Sequence, residues 1–272
     1  MKLKNKDRKI CVYNNGTPAS IETTEILEKK LIANNFTIEK NFKDSELIIS
    51  VGGDGCTLRA IHQFNFPDVP IIGVNTGHLG FYQEVSANNL DDLIFNYKSG
   101  SFSIQELNTV KATIRTRDGN VTELIGLNEI VVRGENTHPA HYNISIDGSF
   151  IERFSGDGLV IATSAGSTAY NYSLGGSIVD PRLSLLQVTP IAPMNSTAFR
   201  SFTSSILLPS DLSLELLPET NGYAPTTFIF ADGMHKEFKY VESILVELSD
   251  KTVKLMRLSD YDFWDKVKSK FL

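Results

Sequence analysis

A short glycine-rich segment that contains one carboxylate has the clearest chemical potential in this chain. Residues 52–57 read Gly-Gly-Asp-Gly-Cys-Thr and follow an apolar run, 47–51, that is typical of a buried parallel strand. Glycines let the backbone approach a ligand closely, and the start of a following helix offers free N–H groups to an anion. Asp54 would lie beyond the carboxyl end of the strand, where open parallel sheets bind ligands. Its carboxylate could meet a phosphate, a metal ion or a reacting hydroxyl, although a plain strand-to-helix turn explains the glycines equally well.

A second glycine-rich segment, residues 73–81, follows the next predicted strand. Two such segments leaving neighbouring parallel strands would line one crevice. For His78 we favour a structural hydrogen-bonding role over a catalytic one. The segment around Asp54 differs from two well-known phosphate-binding loops, because no Gly-Lys-Ser/Thr follows it and its glycines are not spaced Gly-x-Gly-x-x-Gly.

Two polar segments stand out in the second half of the chain. Asn128 and Glu129 lie between apolar runs, and an edge-strand pair facing water is the simplest interpretation, since a buried pair would need partners. Residues 156–170 are rich in Gly, Ala, Ser and Thr, which permit close approach of a flat ligand on which Tyr170 could stack. We therefore interpret this run as a binding segment, with a tight internal turn as the alternative. Ser167 lacks the Gly-x-Ser-x-Gly frame of a nucleophile elbow.

The composition is that of an ordinary globular protein. The chain has 272 residues, of which 41% are apolar and 21% charged, so a large core is expected. A net charge of −6 disfavours a nucleic-acid-binding surface. No apolar run approaches the ~20 residues of a membrane span, and the two cysteines form neither a disulfide framework nor a zinc spacing. The first residues lack the apolar region of a signal peptide, so we expect a cytoplasmic protein without a membrane partner.

Strand and helix signals alternate over residues 1–103, which predicts an α/β domain with a parallel sheet. Strands are predicted at 9–13, 47–51 and 69–74. Helices are predicted from a cap at Ser20 to about residue 34, from Thr57 onward, and at about 90–98.

The pattern changes after residue 103, and residues 104–258 are predicted to form a β-rich domain. The strands are expected at 110–117, 121–125, 130–133, 142–146, 150–154, 205–208, 212–217, 226–230, 237–240, 244–248 and 252–258. The dipeptides at 118–119 and 147–148 are both Asp-Gly and suit tight hairpins, because both turn positions tolerate positive φ. Residues 259–272 predict a helix that packs back through Phe263, Trp264 and Val267, with acidic residues early and lysines late to complement the helix dipole.

Taken in order, these segments resemble the NAD kinases over nearly the whole chain from residue 47 onward. The family pattern has Gly-Gly-Asp-Gly, Asn-x-Gly-x-Leu-Gly-Phe, an Asn-Glu pair, and a Gly-Asp-Gly that runs into Thr-Gly-Ser-Thr-Ala-Tyr. The matching residues here are 52–55, 75–81, 128–129 and 156–170, with further similarity at 175–176, 181, 190–193 and 199–200. The chain departs from the pattern at Cys56, where the family has Thr or Asn, at Ser164 and Ala165, where it has Pro-Thr, and at Met234, where it has the Gln of Asp-Gly-Gln.

The resemblance implies an α/β domain at 1–103 with the catalytic loop, an NAD-binding β-rich domain at 104–258, a helical tail at 259–272, and an active site between the domains. The implied reaction transfers the γ-phosphoryl group of ATP, or in some members of polyphosphate, to the 2′-hydroxyl of the adenosine ribose of NAD, with Mg²⁺ or another divalent cation. Asp54 would be the catalytic carboxylate, as a base or a metal ligand. The residues implied to line the site are Gly55, Asn128, Glu129, Asp157, Ala165, Thr168, Ala169, Tyr170, Asn171, Tyr172, Ser173 and Ala192. Members usually form dimers or tetramers, so a homo-oligomer, and specifically a homotetramer, is expected.

Two alternatives stay open at this point. Lipid kinases and phosphofructokinases share a Gly-Gly-Asp-Gly-type loop, but they should lack the Asn-Glu pair and the Thr-Ala-Tyr run found here. A non-enzymatic NAD sensor would keep the binding residues, and the intact Asp54 argues against it.

Overall fold

The computed structural model describes residues 8–77, 80–135, 138–195, 200–219 and 226–271. The chain divides into two units: unit 1 is Met1–Glu106 with Thr252–Leu272, and unit 2 is Leu107–Lys251. The chain therefore leaves unit 1 once and returns to it. Residues 252–258 were predicted to belong to the β-rich domain and the tail to be separate, whereas the structure groups both with unit 1. No helix among the described residues is long and apolar enough to cross a membrane.

Unit 1 contains a parallel sheet flanked by helices, so the predicted α/β fold is confirmed. Strands β3 and β4 are buried along their whole length, as expected for central parallel strands. The strand order is β2-β1-β3-β4, with β5 and Leu255 also paired to β4 in parallel. The elements are β1 Lys9–Asn14, α1 Pro18–Ala33, β2 Thr37–Glu39, β3 Leu47–Val51, α2 Asp54–Gln63, β4 Ile71–Asn75, β5 Gln83–Ser86, α3 Leu90–Ser99 and α5 Phe263–Phe271.

The helix starts differ from the predicted ones. Thr17, not Ser20, caps α1: its hydroxyl accepts the Ser20 N–H at 3.4 Å, and Pro18 suits the first helical position because no N–H partner exists there. Helix α2 begins at Asp54 rather than Thr57, so the carboxylate lies in the first turn and not in a loop.

The tail helix α5 also begins later than predicted, after Asp262. The Asp262 side chain accepts the N–H groups of Trp264 and Asp265 at 2.7 and 3.0 Å and thereby caps the helix. Phe263 and Val267 are buried as expected, and the helix packs within unit 1 through aromatic contacts of Phe81 with Phe263 and Phe271. Trp264 was expected to pack as well, but it is half exposed.

Unit 2 is built from antiparallel strands, so its predicted β-rich fold is confirmed. One six-stranded sheet has the order β13-β12-β11-β8-β15-β16. A second sheet contains β10, β9, β14 and the first part of β17, and β6 pairs with β7. The strands are β6 Phe102–Thr116, β7 Val121–Gly126, β8 Glu129–Arg133, β9 Ala140–Ile146, β10 Ser149–Gly156, β11 Gly158–Thr163, β12 Leu185–Ile191, β13 Ile206–Pro209, β14 Leu214–Pro218, β15 Thr227–Ala231, β16 Met234–Phe238 and β17 Val241–Leu258.

One apolar core joins the two sheets of unit 2. It contains Ile130 and Ile161 from the six-stranded sheet and Ile144, Leu216 and Ile244 from the other, so the sheets pack face to face. Burial of each such side chain contributes about 1.5–3 kcal/mol. A smaller apolar cluster covers the opposite face of β11, which is therefore buried on both sides.

Two details of unit 2 correct the sequence predictions. The strands expected at 244–248 and 252–258 are the single strand β17, because the polar residues between them stay extended and the Lys251 carbonyl accepts the Thr109 hydroxyl at 2.7 Å. Asp147 and Gly148 both have positive φ, 46° and 74°, as predicted for a tight hairpin. In the Asp118-Gly119 turn only Gly119 has a positive φ. This turn is closed by the Thr116 N–H, which donates to the Asn120 carbonyl.

Candidate functional site

In unit 1 the backbone that follows β4 holds the Asp54 carboxylate. Asp54 is the first residue of α2, after Gly53 as N-cap. Its Oδ1 accepts the Tyr82 N–H at 2.9 Å and its Oδ2 accepts the Phe81 N–H at 3.1 Å. One donor on each oxygen fixes the plane of the carboxylate. Because Asp54 stays partly exposed, an oriented carboxylate remains accessible at the start of a helix.

Gly80 makes this close approach possible. A Cβ atom on Gly80 would overlap with Oδ1 of Asp54 and with Oε1 of Gln83. The Gly80 N–H donates to the same Gln83 oxygen at 3.0 Å. The two glycine-rich segments predicted to lie together are thus in contact, through Asp54 and Gly80. His78, for which a structural role was predicted, lies outside the described residues.

A cluster of buried charges supports the segment that carries those N–H donors. Arg257 donates to Glu84 at 2.6 Å and to the Phe81 carbonyl at 3.1 Å. Lys266 of α5 donates to the Gln83 carbonyl at 2.6 Å and to Glu84 at 2.9 Å. Burial lowers the pKa of Lys266, and the negative charge of Glu84 opposes that effect. We name this trio of Glu84, Arg257 and Lys266 the supporting cluster.

The sequence did not reveal the supporting cluster. Lys266 was interpreted only as a favourable charge late in a helix, and the role of Arg257 depends on partners far away in the chain. Two other residues near Asp54 are exposed: Gly55, predicted to contact the ligand, and Arg59, whose Nη1 would lie 3.8 Å from a Cβ on Gly55.

In unit 2 the Asn-Glu pair is buried, so the expectation of an edge pair facing water is wrong. Asn128 is 7% exposed and Glu129 6%. The reason is that β8 is a central strand, flanked by β11 and β15. Burial raises the pKa of Glu129 to about 8, the negative charge of Asp232 adds to the rise, and an N–H bond from Tyr170 opposes it. Among the described residues, Oε2 of Glu129 has no hydrogen-bond partner.

The small-residue segment packs directly on this pair. Thr163 donates its N–H to the Asn128 carbonyl at 2.9 Å and its hydroxyl to the Leu127 carbonyl at 2.7 Å. A Cβ on Gly166 would overlap with the Asn128 carbonyl, so only glycine allows this packing. The segment continues as a 3₁₀ turn at Ala165–Thr168 and the short helix α4, Tyr170–Ser173.

Side chains within this segment divide into buried and accessible ones. Ser167 and Asn171 are fully buried: Ser167 bonds to both backbone groups of Val179, and Asn171 accepts the Thr189 hydroxyl at 2.6 Å. The side chain of Asn171, predicted to line the ligand site, therefore stabilises the segment. The other predicted residues of this run are partly or fully exposed: Ala165, Thr168, Ala169, Tyr170, Tyr172 and Ser173.

The structure places two of the predicted site residues, Asp157 and Ala192, away from the Asn-Glu pair. Asp157 precedes β11 and donates its N–H to the Ile191 carbonyl at 2.9 Å, next to Ala192. Glu129 instead pairs with Ala162 near the far end of β11. A six-residue strand spans roughly 17–20 Å, so Asp157 and Ala192 lie about that far along the sheet from the Asn-Glu pair.

The described residues contain no group of three or more His, Cys, Asp or Glu side chains arranged to hold a metal ion. Mg²⁺ in nucleotide-dependent enzymes is usually held by one or two carboxylates together with substrate phosphates. Asp54 is a carboxylate that fits this pattern.

Family models match both halves of the chain. A model described as ATP-NAD kinase N-terminal domain matches residues 3–101, and one described as ATP-NAD kinase C-terminal domain matches residues 127–258. An NAD kinase of Finegoldia magna is 35% identical over 274 residues, which cover 99% of this chain and 100% of that protein. An NAD kinase of Streptococcus gordonii is 33% identical over 274 residues, or 99% of this chain and 97% of that protein.

Comparisons with solved structures agree with these matches in fold. Yeast NADH kinase complexed with NADH matches with a TM-score of 0.84 and 20% identity, over 97% of this chain and 87% of that one, which supports the fold alone. An NAD kinase from Archaeoglobus fulgidus in complex with ATP matches with a TM-score of 0.76 and 25% identity, over 96% of this chain and 99% of that one. The order of the motifs, the models for both domains and the near-full-length relatives agree: the chain belongs to the NAD kinase family.

Proposed function

We propose that this protein transfers the γ-phosphoryl group of ATP to the 2′-hydroxyl of the adenosine ribose of NAD and so produces NADP. The observation that carries the proposal is the Asp54 carboxylate, oriented by two N–H groups at the start of a helix, in a chain of this family. In the transfer the 2′-oxygen bonds to the γ-phosphorus, the bond from that phosphorus to the bridging oxygen of ADP breaks, and Asp54 takes the hydroxyl proton.

The chemistry suits what these residues offer. Phosphoryl transfer passes through a loose transition state, so the protein mainly positions groups and compensates charge. A ribose hydroxyl is a weak acid, and a carboxylate need only accept its proton late in the transfer. The free N–H groups at the start of α2 favour negative charge nearby, which suits a phosphate.

The NAD site in this proposal includes the buried Asn-Glu pair. With a pKa of about 8, Glu129 is mostly protonated at pH 7 and can both donate and accept a hydrogen bond. Its unpartnered Oε2 is an oxygen that a ligand group can satisfy. Gly55 and the accessible residues of 165–173 are proposed as further contacts. Asp157 and Ala192, which lie farther along the sheet, are proposed to contact a different part of the dinucleotide.

The remaining parts of the proposal concern cofactor, assembly and location. A divalent cation such as Mg²⁺ would arrive with the ATP phosphates and neutralise their charge, with Asp54 as a nearby carboxylate. We also propose polyphosphate as a second donor, a homo-oligomer of two or four chains, and a cytoplasmic location. The exposed Phe150 and Ile151 on the outer strand β10 support self-association.

The direct test is to incubate the purified protein with NAD, Mg²⁺ and either ATP or polyphosphate, and to detect NADP with an NADP-specific dehydrogenase. NADP formation with ATP is expected. Phosphorylation of fructose 6-phosphate or diacylglycerol but not of NAD would favour the sugar and lipid kinases. Binding of NAD in calorimetry without turnover on either donor would favour a sensor.

A further inference from the structure

Two hairpins of unit 2 have the same turn dipeptide in the same conformation. The Asp147-Gly148 turn joins β9 to β10, and the Asp232-Gly233 turn joins β15 to β16. The aspartates have φ values of 46° and 49°, and each is followed by a glycine with positive φ. The two turns are therefore matched in local structure. They differ in what the aspartate side chain contacts.

Asp147 is exposed at its turn, whereas the side chain of Asp232 reaches the segment that precedes β8. Oδ2 of Asp232 accepts the Leu127 N–H at 2.7 Å, and Oδ1 accepts the N–H groups of Asn128 and Glu129 at 2.7 and 3.3 Å. The Asp232 N–H in turn donates to the Glu129 carbonyl at 3.2 Å. One aspartate thus binds three consecutive amides of the Asn-Glu segment.

These bonds determine the path of the backbone at that point. Consecutive N–H groups that face one carboxylate cannot all join a strand ladder, so without Asp232 they would need other partners. The backbone that precedes β8 is also closely packed, because a Cβ on Gly126 would lie 2.6 Å from the Glu129 carbonyl and 3.1 Å from Oδ1 of Asp232. The carboxylate therefore stabilises a backbone shape that sets where the Asn128 and Glu129 side chains point.

We propose that Asp232 is a positioning residue for the NAD site, whose carboxylate fixes the backbone of residues 127–129 and so presents Asn128 and Glu129 to the dinucleotide. This inference rests on the proposed function. Asp232 also acts on Glu129 electrostatically, because its negative charge opposes ionisation of the buried carboxyl group. The opposing view is that Asp232 only favours its own turn, as Asp147 does.

The test compares Asp232→Asn with Asp147→Asn. Asparagine keeps the size of the side chain and tolerates the left-handed backbone, so neither turn is strained. The substitution at 232 removes the negative charge and one acceptor oxygen. We expect Asp232→Asn to raise KM for NAD by about tenfold or more, with KM for ATP changed less than about twofold. Asp147→Asn should leave both unchanged.

The pH profile gives a second readout that a purely structural role would not move. Asp232 and the Tyr170 N–H are the groups that act on the Glu129 carboxyl, in opposite directions. Removing the Asp232 charge makes ionisation of Glu129 easier, so the alkaline decline of kcat/KM for NAD should shift to lower pH in Asp232→Asn and stay in place in Asp147→Asn.

The outcomes of these experiments distinguish a failure of the positioning role of Asp232 from a failure of the proposed function. If the unaltered protein makes no NADP, the proposed function fails. If it does, and Asp232→Asn matches Asp147→Asn in KM and pH profile, the positioning role is wrong. Asp232→Gly, which also suits positive φ, guards against a folding defect. Failure of both Asp232 variants to fold, with Asp147→Asn and Asp147→Gly folded, would assign Asp232 to stability alone and overturn the proposal.

Discussion

Asp54 and Glu129 are both proposed to serve the same reaction, yet their surroundings are opposite. Asp54 is partly exposed, lies at the start of a helix and has an N–H donor on each oxygen. Glu129 is buried in a central strand, has a raised pKa and has one oxygen without a partner among the described residues. The first arrangement holds a carboxylate in one orientation for a proton or charge. In the second arrangement the raised pKa favours the neutral carboxyl group, and its unpartnered oxygen could bond to a ligand. Under the proposed function, the first acidic group would serve the chemistry and the second would serve recognition.

Replacing Asp54 should have the largest effect and tests the first half of the comparison. Asp54→Asn keeps the shape but cannot accept the ribose proton, so kcat should fall by orders of magnitude while the affinity for NAD stays within a few-fold. Steady-state kinetics and calorimetry measure the two quantities. Asp68→Asn, which changes an exposed aspartate of the same unit, is the control. Near-normal turnover in Asp54→Asn would remove this carboxylate from the mechanism.

The second prediction asks whether the orientation of Asp54 matters as well as its presence. A Cβ in Gly80→Ala would displace the carboxylate, and a shift of about 1 Å in a catalytic group can cost on the order of 100-fold in rate. Gly77→Ala is a matched control, because nothing lies within 4 Å of a Cβ there. Equal kcat in the two variants would show that the contact between Gly80 and Asp54 is not needed for turnover.

The third prediction concerns the supporting cluster. Lys266→Met keeps the length of the side chain but removes its bonds to the Gln83 carbonyl and to Glu84. We expect kcat to fall by about tenfold with KM for NAD unchanged, since the cluster acts on the donors to Asp54. Lys268→Met, an exposed position on the same helix, should behave like the original protein. A change in KM for NAD alone would contradict the assignment.

The smallest effect is expected for Glu129→Gln, which tests the second half of the comparison. The pKa of Glu129 is higher in the folded protein than the usual carboxyl value of about 4.3, so folding is favoured by its proton at low pH and this contribution is lost as pH rises towards about 8. The melting temperature should therefore fall by a few degrees between pH 5 and 8 in the original protein and less in Glu129→Gln. Identical pH slopes in calorimetric scans would show that Glu129 is already ionised.

Local patterns predicted much of the fold, and the reasons are visible in single elements. The apolar run that became β3 and the Asp-Gly pair at 147–148 carry their structure in a few adjacent residues. The burial of Asn128 and Glu129 was missed because it depends on strands β11 and β15, which lie elsewhere in the chain. Helix α2 was predicted to start too late, because its N-cap is Gly53, which has no side chain to signal a cap.

Prediction of the candidate site was limited in the same way, because contacts between residues far apart in the chain are not visible in local patterns. Asp54, Gly80 and the segment at 156–170 could be singled out from residue types, because glycines and small residues beside a carboxylate are unusual, although a plain turn explained them equally well until their order along the chain was considered. Asp232, Arg257 and Lys266 could not, since each acts on amides or carbonyls more than a hundred positions away. The sequence therefore suggested residues for the proposed ligand contacts, but it did not suggest the residues that hold their backbone in place.

The interrupted path of unit 1 has a consequence for biosynthesis. Strand β4 pairs with Leu255, and Lys266 bonds to the segment beside Asp54, so unit 1 is completed by residues that follow the whole of unit 2. Unit 2 is continuous and can assemble while the ribosome is still translating, whereas unit 1 must wait for the distal part of the polypeptide. A newly made chain would therefore complete the surroundings of Glu129 before those of Asp54, and a prematurely terminated product would retain the former without the latter.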